Sequence, residues 1–375
     1  MVMPETKSIY CFFISGSWGE NANRDRLESL AQELVCLGHE VVILLDHNQT
    51  DLVNTLQNPH VYTWPSYRPT KLRDAFFLYK LIKQYRPDCM ISQFGSVNIM
   101  LLVGWLCRVP LRLARYETKS SAIDIDAKLS RHYLRLLRLR KQLILHFANG
   151  ILANSHSSRD DLIKIFHVRR DKIQVFFNYL KDPIERIEIL FQYKPNSIVC
   201  AGRFSKNKGQ DVLIKALALL PPSLDLKVEF VGSGDFMKDC RELADRLGVS
   251  NRCKFNGSVT HSQVYEKFAQ AAVSVVPSLD EAFGYVCIES MAVGTPVLGS
   301  RVGGIPEIVR DKVDGFLFTA GDPNDLAQKI KLFFSAENDQ KQMRANARKR
   351  FLTTFEQKNV LKDQVSWLLS ELASK

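Results

Sequence analysis

The sequence predicts an α/β protein of two doubly wound domains in series, facing each other across a cleft. Three observations predict it. Short runs of β-branched and aromatic residues alternate with amphipathic helical stretches along all 375 residues, the order expected of parallel sheets covered by helices. The pattern breaks once, between Lys181 and Asn196, where Pro183 and Pro195 interrupt any clean period, and it restarts at Ser197. The length suits two domains of ~150 residues.

In order, the first half predicts strands over 8–15, 40–45, 60–63, 89–93, 111–116, 150–154 and 173–177, with helices near 23–37, 70–85, 95–107, 128–147 and 157–166. The second half predicts strands over 197–201, 227–231, 253–255, 273–276 and 296–299, with helices between them. Ligands of such sheets bind beyond the carboxyl ends of the strands, so the loops there are where chemistry is sought.

Composition narrows the class. A chain with 46% hydrophobic and 24% charged residues is a globular protein, not a disordered, collagen-like or disulfide-stapled one. The longest nearly apolar run, Ile99 to Cys107, is far short of the ~20 residues that cross a bilayer as a helix. The apolar stretch Ile9 to Ile14 follows Pro4 and Glu5 with no basic leader, and reads as a strand, not a signal peptide. Eight cysteines stand singly with no C-x-x-C pair, as small core residues do, so neither a disulfide framework nor structural zinc is expected. The net charge of +11 is uneven: residues 1–181 carry 25 Lys and Arg against 16 Asp and Glu, the remainder 26 against 24. That excess suits an anionic membrane surface, a phosphorylated acceptor or nucleic acid. The basic half contains no base-reading module, which argues against nucleic acid, and no G-x-G-x-x-G follows the first strand, which argues against a dehydrogenase.

Three loops of the second half could carry chemistry. After the strand ending at Ala201 comes Gly202-Arg203-Phe204-Ser205-Lys206-Asn207-Lys208-Gly209, with a helix beyond. Glycines allow close backbone approach, a helix N-terminus favours negative charge and Arg binds two phosphate oxygens at once, so the turn suits a diphosphate; the alternative is a solvated basic loop. Val231-Gly232-Ser233-Gly234 is a similar but weaker signal, which taken alone reads first as a plain tight turn. The strongest is Pro277 to Val297, where Glu281 lies in the loop, Gly284 stands where a helix should start and Glu289 falls about one and a half turns inside it. Glu289 sits among Val286, Cys287, Ile288, Met291 and Ala292, where a carboxylate needs a partner.

These motifs, with A-x-G-T-P-V and G-G-I-P-E-I-V … D-G-F-L-F after them, resemble the retaining glycosyltransferases of family 4, which have the GT-B fold of two Rossmann-like domains. The likeness is close over Ser197 to about Asp325, and looser in the first half at Gly38-His39-Glu40-Val41 and Ala153-Asn154-Ser155. It implies an acceptor-binding domain over 1–181, a nucleotide-sugar-binding domain over 182–355 and a C-terminal helix over 356–375 that packs back on the first domain. Carried over by position, Arg203 and Lys208 bind the diphosphate, Glu281 contacts the donor sugar, Phe283 and Gly284 line sugar and phosphate, and Glu289 holds the ribose; Gly202, Gly232 and Tyr285 complete the donor side. No metal or other cofactor is implied. The Gly pair frequent before the first helix is replaced near Asn21-Ala22, leaving Gly16, Trp18 and Gly19 nearby. Where some relatives place an acceptor-side His, this chain has Arg115-Tyr116-Glu117-Thr118, which makes Glu117 the candidate.

The helix over 128–147 adds a basic stripe. At 100° per residue Lys128, Arg131, Arg135 and Arg138 fall within roughly 80°, with Leu129, Tyr133, Leu136, Leu137, Leu143 and Ile144 on the other side. The stripe is either a solvated face or a site for an acceptor's diphosphate or anionic headgroups, and it resembles the basic helix of relatives that extend polyprenyl-diphosphate-linked glycans. The expected protein is therefore a cytoplasmic transferase, peripheral on the inner membrane face. Its expected reaction moves a hexose or N-acetylhexosamine from a nucleotide-sugar, a UDP-sugar being the expected donor, to a glycan or lipid-linked acceptor, as in cell-surface polysaccharide or glycolipid biosynthesis. A nucleotide-sugar 2-epimerase on a related fold and an inactive basic binding protein are the alternatives.

Overall fold

The computed structural model describes residues 9–16, 22–45, 60–120, 131–185, 194–335 and 337–375. In the first domain the strands are β1 (Cys11–Ser15), β2 (Glu40–Leu45), β3 (His60–Thr63), β4 (Cys89–Ser92), β5 (Leu111–Tyr116), β6 (Gly150–Ala153) and β7 (Ile173–Val175). They form one parallel sheet in the order β3-β2-β1-β4-β5-β6-β7. The reversal at β1 puts helices on both faces. Helix α1 (Ala22–Cys36) covers one face; α2 (Leu72–Tyr85), α3 (Val97–Leu106), α4 (Arg131–His146) and α5 (His156–Phe166) cover the other. Because both faces are buried, the strands are apolar throughout: Phe12 and Ile14 pack under α1 while Cys11 and Phe13 pack under α2 and α3.

The second domain repeats the plan with β8 (Lys194–Ala201), β9 (Lys227–Val231), β10 (Cys253–Phe255), β11 (Ala271–Val276), β12 (Val297–Ser300) and β13 (Gly315–Phe318), ordered β10-β9-β8-β11-β12-β13. Strand β13 was not among the predicted strands; Gly-Phe-Leu-Phe is too short to show a period, and its pairing with β12 makes it a strand. Helices α6 (Gln210–Ala218), α7 (Met237–Arg246) and α11 (Pro323–Ser335) pack on one face, and α8 (His261–Gln270), α9 (Tyr285–Ala292) and α10 (Ile305–Ile308) on the other. Strand β8 starts at Lys194, so the segment read as a linker to Asn196 gives its last residues to the sheet.

The chain crosses between domains twice, and the two crossings are bonded together. Helix α12 (Glu337–Arg350) runs into a π-helical turn at Phe351–Phe355, after which α13 (Gln357–Ala373) returns to the first domain and packs against α1. At the crossing Leu180 donates its amide to the Phe355 carbonyl (3.1 Å) and its own carbonyl accepts from the Gln357 amide (2.9 Å). Arg348 clamps Asp182 with two bonds, at 2.9 and 2.5 Å.

Helix α4 corrects the predicted amphipathic face. Leu134, Leu137, Arg138, Lys141, Ile144 and Leu145 line the inner side, while Tyr133, Leu136, Leu139 and Leu143 are exposed. Leucine falls on nearly every side of this helix, so the arginine stripe divides two apolar arcs, and only packing against α3 and α5 decides which is buried. Arg135 is exposed, Arg138 turns inward with the buried arc, and the side chain of Arg131 lies outside the described residues, as do Trp18 and Gly19.

Leu368 of α13 is fully buried in the core under β1 and β2. Leu368→Ala should lower stability by ~2–5 kcal/mol, the range for a leucine deleted from a core that cannot collapse. A shift of the urea midpoint checks it, and an unchanged midpoint would mean that α13 does not carry the first domain's core.

Candidate active site

The donor-side residues of the second domain lie beyond three neighbouring strand ends, those of β9, β8 and β11. Behind β8, Gly202 and Arg203 lead into a short 3-10 turn at Lys206–Lys208 and then Gly209, the N-cap of α6. Arg203 is exposed, and its carbonyl is held by Gln210 Nε2 at 3.0 Å. Lys208 Nζ donates to Glu281 Oε2 at 2.6 Å, and Ser278 Oγ donates to the same oxygen at 3.3 Å. Lys208 and Glu281, candidates from separate motifs, are thus one ion pair, half-buried at the cleft.

Close backbone packing shapes this wall. Gly232 has φ +128°, and a Cβ there would stand 2.1 Å from the Gly202 carbonyl oxygen, so the turn after β9 can lie on the turn after β8 only as glycine. At Gly303 a Cβ would fall 1.5 Å from the Glu281 carbonyl oxygen, so the loop bearing Glu281 is seated on a glycine too. Gly284, at φ +115°, caps α9. Phe283 is buried by Phe177 and Phe355 at the crossing, which leaves its backbone and not its ring for the cleft. Glu289 has the partner its apolar setting requires: His261 Nε2 lies 3.0 Å from its Oε1. The hydrogen bond raises the His261 imidazole above its usual range, and burial opposes it.

Across the cleft, the first domain presents a buried charge cluster centred on Glu117. Glu117 Oε1 accepts from Arg26 Nη1 (3.2 Å) and Arg115 Nε (3.1 Å), and Oε2 accepts from Asn178 Nδ2 (3.2 Å) and Asn154 Nδ2 (3.3 Å). Burial alone would raise this carboxyl, but the two guanidinium groups hold it down to about 2. Arg26 also donates to Asn178 Oδ1, and its guanidinium lies 5.4 Å from the ring centroid of Tyr285, so a donor-side candidate of the second domain rests on an arginine paired with Glu117, the acceptor-side candidate of the first. Gly16 lies beside Gln93, where a Cβ would come 2.9 Å from Gln93 Oε1. Arg26, Asn154, Asn178 and His261 were not singled out for these roles. The sequence carried a signal only for Asn154, in Ala153-Asn154-Ser155; a buried arginine in a helix that also holds Arg24 is not distinguishable by spacing.

Further contacts bridge the domains. Lys119 Nζ pairs with Asp280 at 3.3 Å, and Ser155 Oγ donates to the Ala282 carbonyl at 2.6 Å. The Glu307 carboxylate accepts from the His156 and Ser157 amides at the start of α5, each at 2.8 Å, a favourable charge for a helix N-terminus.

The Glu117 cluster makes stability pH-dependent with a definite sign. With a folded pKa near 2 and an unfolded value of ~4.3, its stabilisation is complete above the unfolded value and is lost as pH falls through the folded one, on the order of 3 kcal/mol in all. Glu117→Gln should therefore destabilise the protein by about that much at pH 7, and the gap to wild type should close as pH falls below ~4.3 toward 2. Urea unfolding at several pH values tests this; a gap independent of pH would show that Glu117 is not the ionised centre of the cluster.

Comparison with known proteins accounts for both domains. Residues 26–179 match the family described as Glycosyltransferase Family 4, and residues 182–350 the family described as Glycosyl transferases group 1. An uncharacterized glycosyltransferase of Methanocaldococcus jannaschii is 24% identical over 364 residues, covering 90% of this chain and 92% of that one. D-inositol 3-phosphate glycosyltransferase of Streptomyces avermitilis is 32% identical over 209 residues, 51% of this chain and 45% of that protein. Among solved structures, sucrose-phosphate synthase from Thermosynechococcus elongatus superposes with a TM-score of 0.79 at 19% identity, covering 98% and 100% of the two chains. The Anabaena HepE protein in complex with UDP superposes at 0.77 and 19% identity, covering 96% and 100%. With one family match on each sheet domain and their boundary at the interdomain crossing, the chain is a glycosyltransferase of GT-B type.

Proposed function

We propose that the chain moves a hexose or N-acetylhexosamine from a UDP-sugar to a hydroxyl of a glycan or lipid-linked acceptor, with retention of anomeric configuration, in the biosynthesis of a cell-surface polysaccharide or glycolipid. The observation that carries this reading is the Lys208–Glu281 pair on a glycine-built wall at the carboxyl ends of β8 and β11. A cation at that point is placed to take the charge of a departing diphosphate, and its carboxylate partner is placed to accept hydrogen bonds from sugar hydroxyls. The choice of UDP is supported by HepE, whose structures hold UDP and UDP-glucose.

In the proposed reaction the acceptor oxygen bonds to the anomeric carbon from the face that the leaving group departs. The bond from that carbon to the phosphate oxygen breaks, its electron pair stays on the diphosphate, and the acceptor proton passes to a phosphate oxygen. Arg203, Lys208 and the N-terminus of α6 compensate the developing charge, in the place that a metal would otherwise take. Glu117 is unsuited to take the acceptor proton, since it is held ionised with both oxygens hydrogen-bonded. Glu289 is assigned to the ribose, with His261 orienting its carboxylate. Attachment to an anionic inner membrane face is supported by the outer side of α4, where exposed Leu136, Leu139 and Leu143 lie between Arg135 and Arg140 around the helix and exposed Tyr133 lies beside Arg140. Among the described residues no helix is long and apolar enough to cross a membrane.

Arg203→Ala and Lys208→Ala are each expected to slow transfer ~100-fold or more without unfolding the protein, and EDTA is expected to leave wild-type turnover unchanged. Wild-type rates in either variant, or loss with EDTA that a metal restores, reject the charge-compensation scheme. Glu281→Gln should impair transfer while sparing UDP affinity, whereas Glu289→Gln should weaken UDP itself. Calorimetry with bare UDP separates the two, and equal losses would contradict the division of roles.

A further inference from the structure

A cavity of about 300 Å³ lies beneath α4, between that helix, α3, α5 and the end of β5. Its walls are largely apolar, with Leu137, Ile144, Ile151 and Phe166 facing the space. Three cations, Arg138, Arg140 and Lys141, line it from α4, and its lining continues to Glu117 and Thr118 at the cleft. Glu117 adds no free negative charge, because Arg26 and Arg115 are paired with it.

Lys141 is the unusual member. Its ammonium lies 4.3 Å from the centre of the Tyr116 ring and 5.0 Å from that of Phe166, and it makes no hydrogen bond or ion pair among the described residues. Among the described residues the carboxylate that acts on it, Asp161, is already engaged: it accepts from the Tyr116 hydroxyl (2.5 Å) and from the Ser120 amide (3.0 Å) and hydroxyl (2.7 Å). Burial pushes the Lys141 ammonium down to about 8, against the attraction of Asp161. An apolar hollow with a poorly compensated ammonium in its wall is costly to keep empty of an anion, and it matches a ligand that is apolar at one end and anionic at the other.

We propose that this cavity binds an anionic amphiphile, a phosphate or phosphate ester, with its apolar chain under α4 and its head held by Lys141 with Arg138 and Arg140. Because the lining reaches the cleft at Glu117 and Thr118, the bound chain is that of the acceptor. This last step rests on the proposed transfer reaction and makes the acceptor a hydroxyl-bearing group joined to a chain through phosphate.

The test is titration of the purified full chain with monomeric alkyl phosphates from butyl to dodecyl, without donor, beside inorganic phosphate and octanol. Affinity should rise about fourfold per methylene and stop rising once the finite cavity is full, with inorganic phosphate and octanol each binding far more weakly than octyl phosphate. Lys141→Met should weaken octyl phosphate at least tenfold, and Leu137→Trp, which fills the hollow, should abolish the chain-length dependence; unchanged UDP affinity shows that each variant is folded. Affinity independent of chain length, octanol binding as well as octyl phosphate, or wild-type affinity in both folded variants overturns the site. Binding only to phosphatidylglycerol vesicles, equal in wild type and Leu137→Trp, overturns it too and assigns the lipid to the exposed face of α4. Octyl phosphate that binds the cavity but does not inhibit UDP-sugar turnover overturns the acceptor role. Failure of UDP to bind wild type counts against the transfer reading alone, since the alkyl phosphate titration contains no nucleotide.

Discussion

Burying the carboxylate of Glu117 is the constraint on which the arrangement of the cleft depends. A lone buried charge costs several kcal/mol or more in lost hydration, and it survives only with close opposite charge and hydrogen bonds for its remaining lone pairs. Here the partners come from four places in the chain: Arg26 from α1, Arg115 from β5, Asn154 beyond β6 and Asn178 beyond β7. Satisfying one carboxylate therefore fixes the relative positions of three neighbouring strand ends and of the helix that crosses above them. Tyr179, beside Asn178, donates its hydroxyl to the Arg26 carbonyl at 3.1 Å, so the helix is tied at its backbone as well as at its side chain.

The same interaction divides chemical roles between the two walls. A carboxyl held near pKa 2 and saturated with donors is a poor proton acceptor at neutral pH, so Glu117 works as fixed negative charge that organises cations. Glu281, on the opposite wall, is half-buried and bonded to one lysine and one serine, which leaves it capacity to accept from a ligand. Glu289 is intermediate, with His261 as its partner. Three glutamates near one cleft thus differ in what they can do because their neighbours differ.

How much of this is legible in the sequence follows from the range of each interaction. Every strand but β13 could be read because burial on two faces makes them continuous apolar runs, as in Glu40–Leu45 and Ala271–Val276. The donor loops could be read because glycines and charges at turns are local requirements: Gly284 starts α9 and Gly202 closes β8. The buried face of α4 could not, since its leucines leave two apolar arcs and the decision belongs to α3 and α5. Arg26 and Asn178 were invisible for a similar reason, because their partner stands at position 117 and nothing in either local segment records that pairing.

The bridges between the domains bear on the donor loop in particular. Glu281 has a first-domain contact on each side of it in the chain: Asp280 pairs with Lys119, and the Ala282 carbonyl accepts from Ser155 Oγ. Its own carbonyl lies against Gly303, two residues before α10, whose Glu307 caps α5 of the first domain. Opening the domains about the paired crossing at Leu180 and Glu356 would have to break these polar contacts, each worth little in water. The position of Glu281, and through it that of Lys208, is therefore tied to how far the cleft is closed.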